Sequence, residues 1–128
     1  MSDMGTFRTN VEIENPARRG VRRTLDNVLV DTGAELSWVP ADVLESLGIE
    51  RDKRLQFRQA SGTVLERWTG VAIVHAGGTR TADDDVFGEP RDMVLLGARS
   101  LEGLNLRVDP VLKVLVDAGP APAALATV

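Results

Sequence analysis

The sequence predicts a mostly β single domain with one or two short helices. Three observations carry that expectation. Phe7, Thr9, Val11 and Ile13 alternate with polar residues at the strand period of two, short apolar runs recur between glycine-centred turns, and only the segments after Pro40 and after Gly97 carry helical spacing. At 128 residues the chain has the length of one ordinary domain; 43% apolar and 27% charged residues make it a globular composition that can bury roughly two thirds of its unfolded surface.

The first strand is the alternation from Phe7 to Ile13, with Arg8, Asn10, Glu12 and Glu14 on its polar face. Asn15-Pro16 through Gly20 interrupts the chain, and Val21 to Val30 reads as the second strand of a hairpin, ending in the apolar run Val28-Leu29-Val30. Arg18, Arg19, Arg22 and Arg23 flank Gly20 without interleaved aromatics and read as a solvated hairpin loop with no assigned role. Asp31-Thr32-Gly33-Ala34 breaks the apolar run, and Leu36-Ser37-Trp38-Val39 resumes extended character. Pro40 then opens a helix with Val43, Leu44 and Leu47 on its apolar face, and Gly48 suits the left-handed position past its end.

Leu55 to Ala60 and Thr63 to Ile73 are extended stretches that turn at Ser61-Gly62, which predicts a long hairpin. Gly77-Gly78 leads to a strand near Thr79 to Ala82, after which Asp83-Asp84-Asp85 reads as an acidic solvated loop or strand edge; its spacing does not match a calcium loop, and no metal site is expected. Met93 to Leu96 reads as a buried strand ending at Gly97, followed by a helix through Arg99, Leu101 and Leu104. Leu106 to Val108, Asp109-Pro110 and Val111 to Val116 make a closing hairpin. The domain is therefore expected over residues 1–117, with 118–128 an Ala/Pro tail expected to be disordered.

Composition excludes several function classes. Without cysteine there is no disulfide, thiolate metal site or thiol nucleophile. The start lacks a basic region followed by an apolar core, and no apolar run approaches the roughly 18 residues of a membrane span, so a cytoplasmic protein without a membrane partner is expected. A net charge of −4 with no long basic tract argues against nucleic-acid binding. His75, the single histidine, lies in an alternating strand with no serine or cysteine partner pattern and is read as structural. Trp38 and Trp68 read as packing residues, although Trp68, on the return strand of the long hairpin, could line a pocket.

Asp31-Thr32-Gly33 is the segment that points to chemistry. An Asp-Ser/Thr-Gly triplet occurs by chance in on the order of 5% of chains this long, so its context matters more than its presence. A carboxylate cut into the end of a buried strand must be satisfied or used. Two readings stay open on local sequence: a structural aspartate that hydrogen-bonds the turn backbone, and a reactive acid.

Val28 to Ala34, then Trp38-Val39-Pro40, then Val94-Leu95-Leu96-Gly97 resemble the signature of retropepsin-like aspartic peptidases, particularly the bacterial single-domain members. Asn15-Pro16, Leu47-Gly48-Ile49, Ala60-Ser61-Gly62, Leu101-Glu102-Gly103-Leu104 and Val108-Asp109-Pro110 extend the likeness over roughly residues 7 to 116. The resemblance implies a closed acid-protease barrel with its active site at a homodimer interface, and an endopeptidase that uses no metal or cofactor. Two copies of Asp31 would share one proton and activate the water that attacks a peptide or protein substrate, as in the aspartic-protease dyad that serves as the general example of such sharing.

It further implies that Thr32 locks the two loops across the dimer axis and that Gly33 leaves room for substrate backbone. Ala34, Glu35 and Leu96 are implied near the substrate, and Ala60, Ser61 and Gly62 form the tip of a hairpin that closes over it. A salt bridge between Glu35 and Arg99 is left open, because family members of the retroviral kind carry arginine directly after the bracing glycine, where this chain has Ala98. Two rivals remain: a catalytically idle dimer of the same fold that binds peptides or acts as a scaffold, and an aspartate-dependent metal-binding protein.

Overall fold

A computed structural model describes residues 7–124; residues 1–6 of the expected domain and 125–128 of the expected tail lie outside the described residues. The elements in chain order are β1 (Phe7–Asn15), β2 (Arg18–Val30), β3 (Ser37–Pro40), α1 (Ala41–Ser46), β4 (Lys53–Arg58), β5 (Val64–Ala76), β6 (Thr79–Gly88), β7 (Leu95–Leu96), α2 (Ala98–Leu104), β8 (Leu106–Asp109) and β9 (Val114–Asp117). Seven strands form one mixed sheet in the order β1-β2-β7-β3-β6-β5-β4, and β1 also pairs with β5. The pairings thus return on themselves in a ring-like course, with β4 outside it. The mostly β character and two short helices match the expected class, and this ring-like course is what is observed of the expected barrel. Strands β8 and β9 form a separate two-stranded sheet.

The interior is apolar. Val11 and Ile13 of β1, Val28 and Val30 of β2, Val39 of β3, Leu44 of α1, Val74 of β5, Phe87 of β6, Leu96 of β7 and Leu101 and Leu104 of α2 belong to one buried cluster. Strand alternation alone explains Val11 and Ile13. Glu14 and Asn15 are buried as well, because the end of β1 runs beside β5, with Glu14 opposite Ile73. Asn15 satisfies an otherwise orphaned carbonyl at the end of α1, donating from Nδ2 to Leu47 O at 2.9 Å. Gly48 follows with φ +76°, the left-handed turn expected there.

Several local expectations are corrected. The four arginines are exposed strand residues of β2, because the turn closes within Pro16-Ala17. Arg19 and Arg22 face the buried Glu14, at 3.1 Å and 3.8 Å, and so have a structural part in the hairpin. Strand β6 continues through Asp83-Asp84-Asp85 to Gly88, since β3 pairs alongside it from Ser37 opposite Asp85. Only Leu95 and Leu96 of the expected Met93–Leu96 strand are paired, and Met93 is exposed. Val111 and Leu112 belong to a turn, because Asp109 Oδ1 accepts both of their backbone N–H groups. Residues 118–124 carry no helix or strand, although Ala118 N–H donates to Asn105 O and Gly119 O accepts from Asn105 Nδ2.

Candidate active site

Strand β2 runs parallel to β7, with Leu29 opposite Leu95 and Val30 opposite Leu96, and Asp31 is the first residue beyond it. The Asp31 N–H donates to Leu96 O at 2.9 Å, which extends the ladder by one step and fixes where the turn begins. Within the turn, Asp31 Oδ1 accepts the N–H of Gly33 at 2.9 Å and Asp31 O accepts that of Ala34 at 3.2 Å. The hydrogen-bonding aspartate considered from local sequence is therefore present. It uses Oδ1 and leaves the half-buried side chain beside the exposed Thr32 and Gly33.

The segment after the turn is clamped to the start of α2. Ala34 O accepts the N–H of Ala98 at 2.8 Å, and Glu35 O accepts that of Arg99 at 2.9 Å. The side chains of Glu35 and Arg99 also pair, at 2.9 Å, which resolves the question left open by the sequence. Both are largely exposed, so this pair adds about 0–1 kcal/mol and the backbone bonds carry the clamp. Gly97 is pressed against the chain here: a Cβ on it would lie 2.5 Å from Leu36 O. The Leu96 side chain is buried in the core, and its backbone carbonyl is what reaches Asp31.

Beneath this turn lies a polar layer that the sequence did not reveal. Gly97 N–H donates to Ser37 Oγ at 2.9 Å, Ser37 Oγ contacts Ser100 Oγ at 2.6 Å, and Ser100 Oγ donates to Asp83 Oδ2 at 3.0 Å. Asp85 lies next to Asp83 in the same layer and is fully buried. Burial, then the neighbouring Asp83 charge, pushes the Asp85 carboxyl well above the usual aspartate range, and burial raises Asp83 also. One signal was available: Thr81, Asp83 and Asp85 continue the alternation of β6 into the apolar pair Val86-Phe87.

Ala60, Ser61 and Gly62 are exposed at the tip between β4 and β5, where Gly62 has φ +92° and its N–H donates to Gln59 O at 2.9 Å. Close to this tip, Phe57 of β4, opposite Leu65, reaches the Asp31 region. Its ring meets Trp38 edge-on at 5.0 Å between centroids, and Trp38 stands opposite Leu95. Trp68 packs partly against the core and carries the Arg54 guanidinium over its ring at 5.5 Å. His75 is structural in its contacts, lying 2.7 Å from Glu14 Oε1. Among the described residues no group of three or more His, Cys, Asp or Glu side chains is arranged to hold a metal ion, and no helix is long and apolar enough to cross a membrane.

A family model described as gag-polyprotein putative aspartyl protease matches residues 23–103, a span that holds the Asp31 turn, the hairpin tip and the Gly97 turn. None of the curated proteins matches the chain.

Proposed function

We propose, for a chain that belongs to this aspartyl protease family, that it is an endopeptidase whose catalytic pair is formed by Asp31 from each of two copies. The single observation that carries the reading is the setting of Asp31. Its acid group ends a buried strand, its backbone is held by Leu96 and by the clamped Ala34-Glu35 segment, and its side chain opens toward solvent beside Thr32 and Gly33. An acid held this firmly by its backbone can keep a second carboxyl at hydrogen-bonding distance across a two-fold axis. One of the two would then be protonated and the other ionised. The ionised member takes a proton from water as it attacks the peptide carbonyl, and the protonated member supports the developing oxyanion.

Thr32 lies at the exposed crest of the turn, where its hydroxyl would meet the other copy. Ala34, Glu35 and the hairpin tip Ala60-Ser61-Gly62 would border the substrate. Gly33 is crowded by Asp31 itself, since a Cβ there would sit 3.2 Å from Asp31 Oδ1, so a side chain would disturb the carboxylate directly. The test is incubation with a diverse peptide library across acidic and neutral pH, wild type against Asp31→Asn. Cleavage that is bell-shaped in pH and lost in the variant is the expected result. Cleavage that survives in Asp31→Asn refutes the mechanism, and a folded dimer that cleaves nothing selects the idle, peptide-binding alternative.

A further inference from the structure

Asp83 and Asp85 are two apart on β6, so their side chains leave the same side of the strand. That side faces α2: Ser100 reaches Asp83, and it also contacts Ser37, the neighbour of Asp85 on the adjacent strand β3. Neither oxygen of Asp85, nor Asp83 Oδ1, meets an N–H or O–H donor. Asp83 Oδ1 and both oxygens of Asp85 are thus left without a partner on one side of one strand, where a shared proton would serve both residues. Two ionised carboxylates so close along the strand, one of them fully buried and without a donor, would carry the full cost of an unpaired buried charge.

The neighbouring hydrogen bonds decide where a proton belongs. A serine hydroxyl has one hydrogen to donate. Ser37 Oγ has two hydrogen-bond partners, the Gly97 N–H and Ser100 Oγ at 2.6 Å, so its hydrogen finds an acceptor only in Ser100, whose own hydrogen then goes to Asp83 Oδ2. The chain therefore runs one way, from Gly97 through Ser37 and Ser100 to Asp83, and it must end on an oxygen that carries no proton.

We infer that Asp85 is a neutral carboxylic acid at neutral pH, donating its O–H to Asp83 Oδ1, and that this acid–carboxylate pair positions the Gly97 turn against which Asp31 is held. The surrounding charges agree. The strand partners of Asp85 and Asp83 on β5 are Gly70 and Ala72, and β3 offers Ser37, so neither neighbouring strand sets a cation opposite Asp85. Asp84, on the other face of β6, is served by Lys53 at 3.1 Å and Arg99 at 3.9 Å, and Arg99 also pairs with Glu35. Asp83 is the less buried member and feels Arg99, which suits it to keep the negative charge.

The inference goes beyond the proposed peptidase and can be tested without any cleavage. Carboxyl carbon NMR of the wild-type protein from about pH 4 to about pH 9 should find Asp85 at the position of a protonated acid at pH 7, far above the free aspartate value of about 3.9. Asp85 at the carboxylate position at pH 7 overturns the inference. Because the folded state holds a proton that the unfolded state gives up, the folding constant of the wild type should fall relative to Asp85→Asn from about pH 4 upward, by up to about tenfold per pH unit, and level off above the raised value. Parallel curves count against it.

The positioning role has its own readout. The Gly97 amide resonance should move as the pair loses its proton, and in Ser100→Ala the pair should still titrate while Gly97 no longer follows. A Gly97 signal blind to the pair in the wild type, or following it equally in Ser100→Ala, removes that role. A chain with a protonated Asp85 that cleaves no peptide refutes the peptidase reading alone, and an active peptidase with an ionised Asp85 refutes this inference alone.

Discussion

Replacing Gly97 by alanine tests what holds the Asp31 turn in place. Gly97 has φ −95° and ψ 177°, extended backbone open to any residue, so its conformation does not call for glycine. Space does. The added Cβ would lie 2.5 Å from Leu36 O, 2.6 Å from Leu36 C and 3.0 Å from Ala34 O, all backbone atoms of the segment that follows Asp31. Weak carbon–oxygen contacts normally sit at about 3.3–3.6 Å, so that segment must retreat by roughly 0.8 Å. Retreat stretches the bonds from Ala98 to Ala34 O and from Arg99 to Glu35 O, now 2.8 and 2.9 Å. Overpacking costs about 1–3 kcal/mol and each of the two weakened hydrogen bonds about 0.5–1.5 kcal/mol, which together give about 2–6 kcal/mol. Urea unfolding should show a lower midpoint with an unchanged slope. Gly33→Ala, whose Cβ meets only Asp31 Oδ1 at 3.2 Å, should leave stability closer to wild type. A Gly97→Ala stability within about 0.5 kcal/mol of wild type would refute the crowding argument.

Two further variants separate scaffold from tip. Glu14 is held down to about 2 by the Gly20 N–H first, then by His75 and Arg19, against an ordinary value of 4.5. Because the folded value is the lower one, its stabilisation is complete above the unfolded value and is lost as pH falls toward 2. Glu14→Gln should therefore be less stable than wild type at neutral pH, with the gap shrinking as thermal melts are taken to lower pH; a gap independent of pH would assign it to packing. At the hairpin tip, Gly62 has φ +92°, and a Cβ added to it would have nothing within 4 Å. Gly62→Ala should cost about 1–2 kcal/mol at most for the left-handed conformation and should lower kcat/KM by more than the loss of folded protein explains. Unchanged kinetics would remove the tip from the site.

Much of the fold was legible because local signals and tertiary demands agree. The Phe7–Ile13 alternation, the Ser61-Gly62 and Gly77-Gly78 turns, the helix between Pro40 and Gly48 and the Asp31 turn each have short-range causes, and each lies where those causes put it. The misreadings arise where a distant partner decides. Asp83 to Asp85 look like a solvated loop or strand edge by charge, yet they lie inside β6 because β3 and β5 flank it and Ser100 reaches in from α2. The arginines around Gly20 look like a loop, yet they extend β2 because Glu14, eight residues before Arg22, needs donors at the buried end of β1. Asp31 could be found because its environment is written in adjacent residues. Of the Ser37–Ser100–Asp83 layer only the alternation through Asp83 was readable, since its members come from three separated segments and their meeting is written in none of them.

Among the described residues a second Asp-x-Gly, Asp117-Ala118-Gly119, copies the turn of Asp31 locally, and the difference between their settings is what sets Asp31 apart. Asp117 Oδ1 accepts the Gly119 N–H at 2.7 Å, just as Asp31 Oδ1 accepts that of Gly33 at 2.9 Å. Asp117, however, ends β9 in the separate two-stranded sheet and is exposed, whereas Asp31 ends a strand whose Val28 and Val30 are buried. The turn alone thus does not single Asp31 out; its attachment to the core does. Register then narrows the source of a second carboxylate. Leu29 pairs with Leu95 and Val30 with Leu96, so the next step sets Asp31 beside Gly97, where Leu36 O leaves no room for a Cβ. Under the proposed mechanism the bracing turn cannot supply the second acid, and a two-fold partner would supply Asp31 again. Activity per chain should therefore fall on dilution in step with the dimer fraction seen by sedimentation. Full activity at concentrations where the protein sediments as a monomer would refute the shared site.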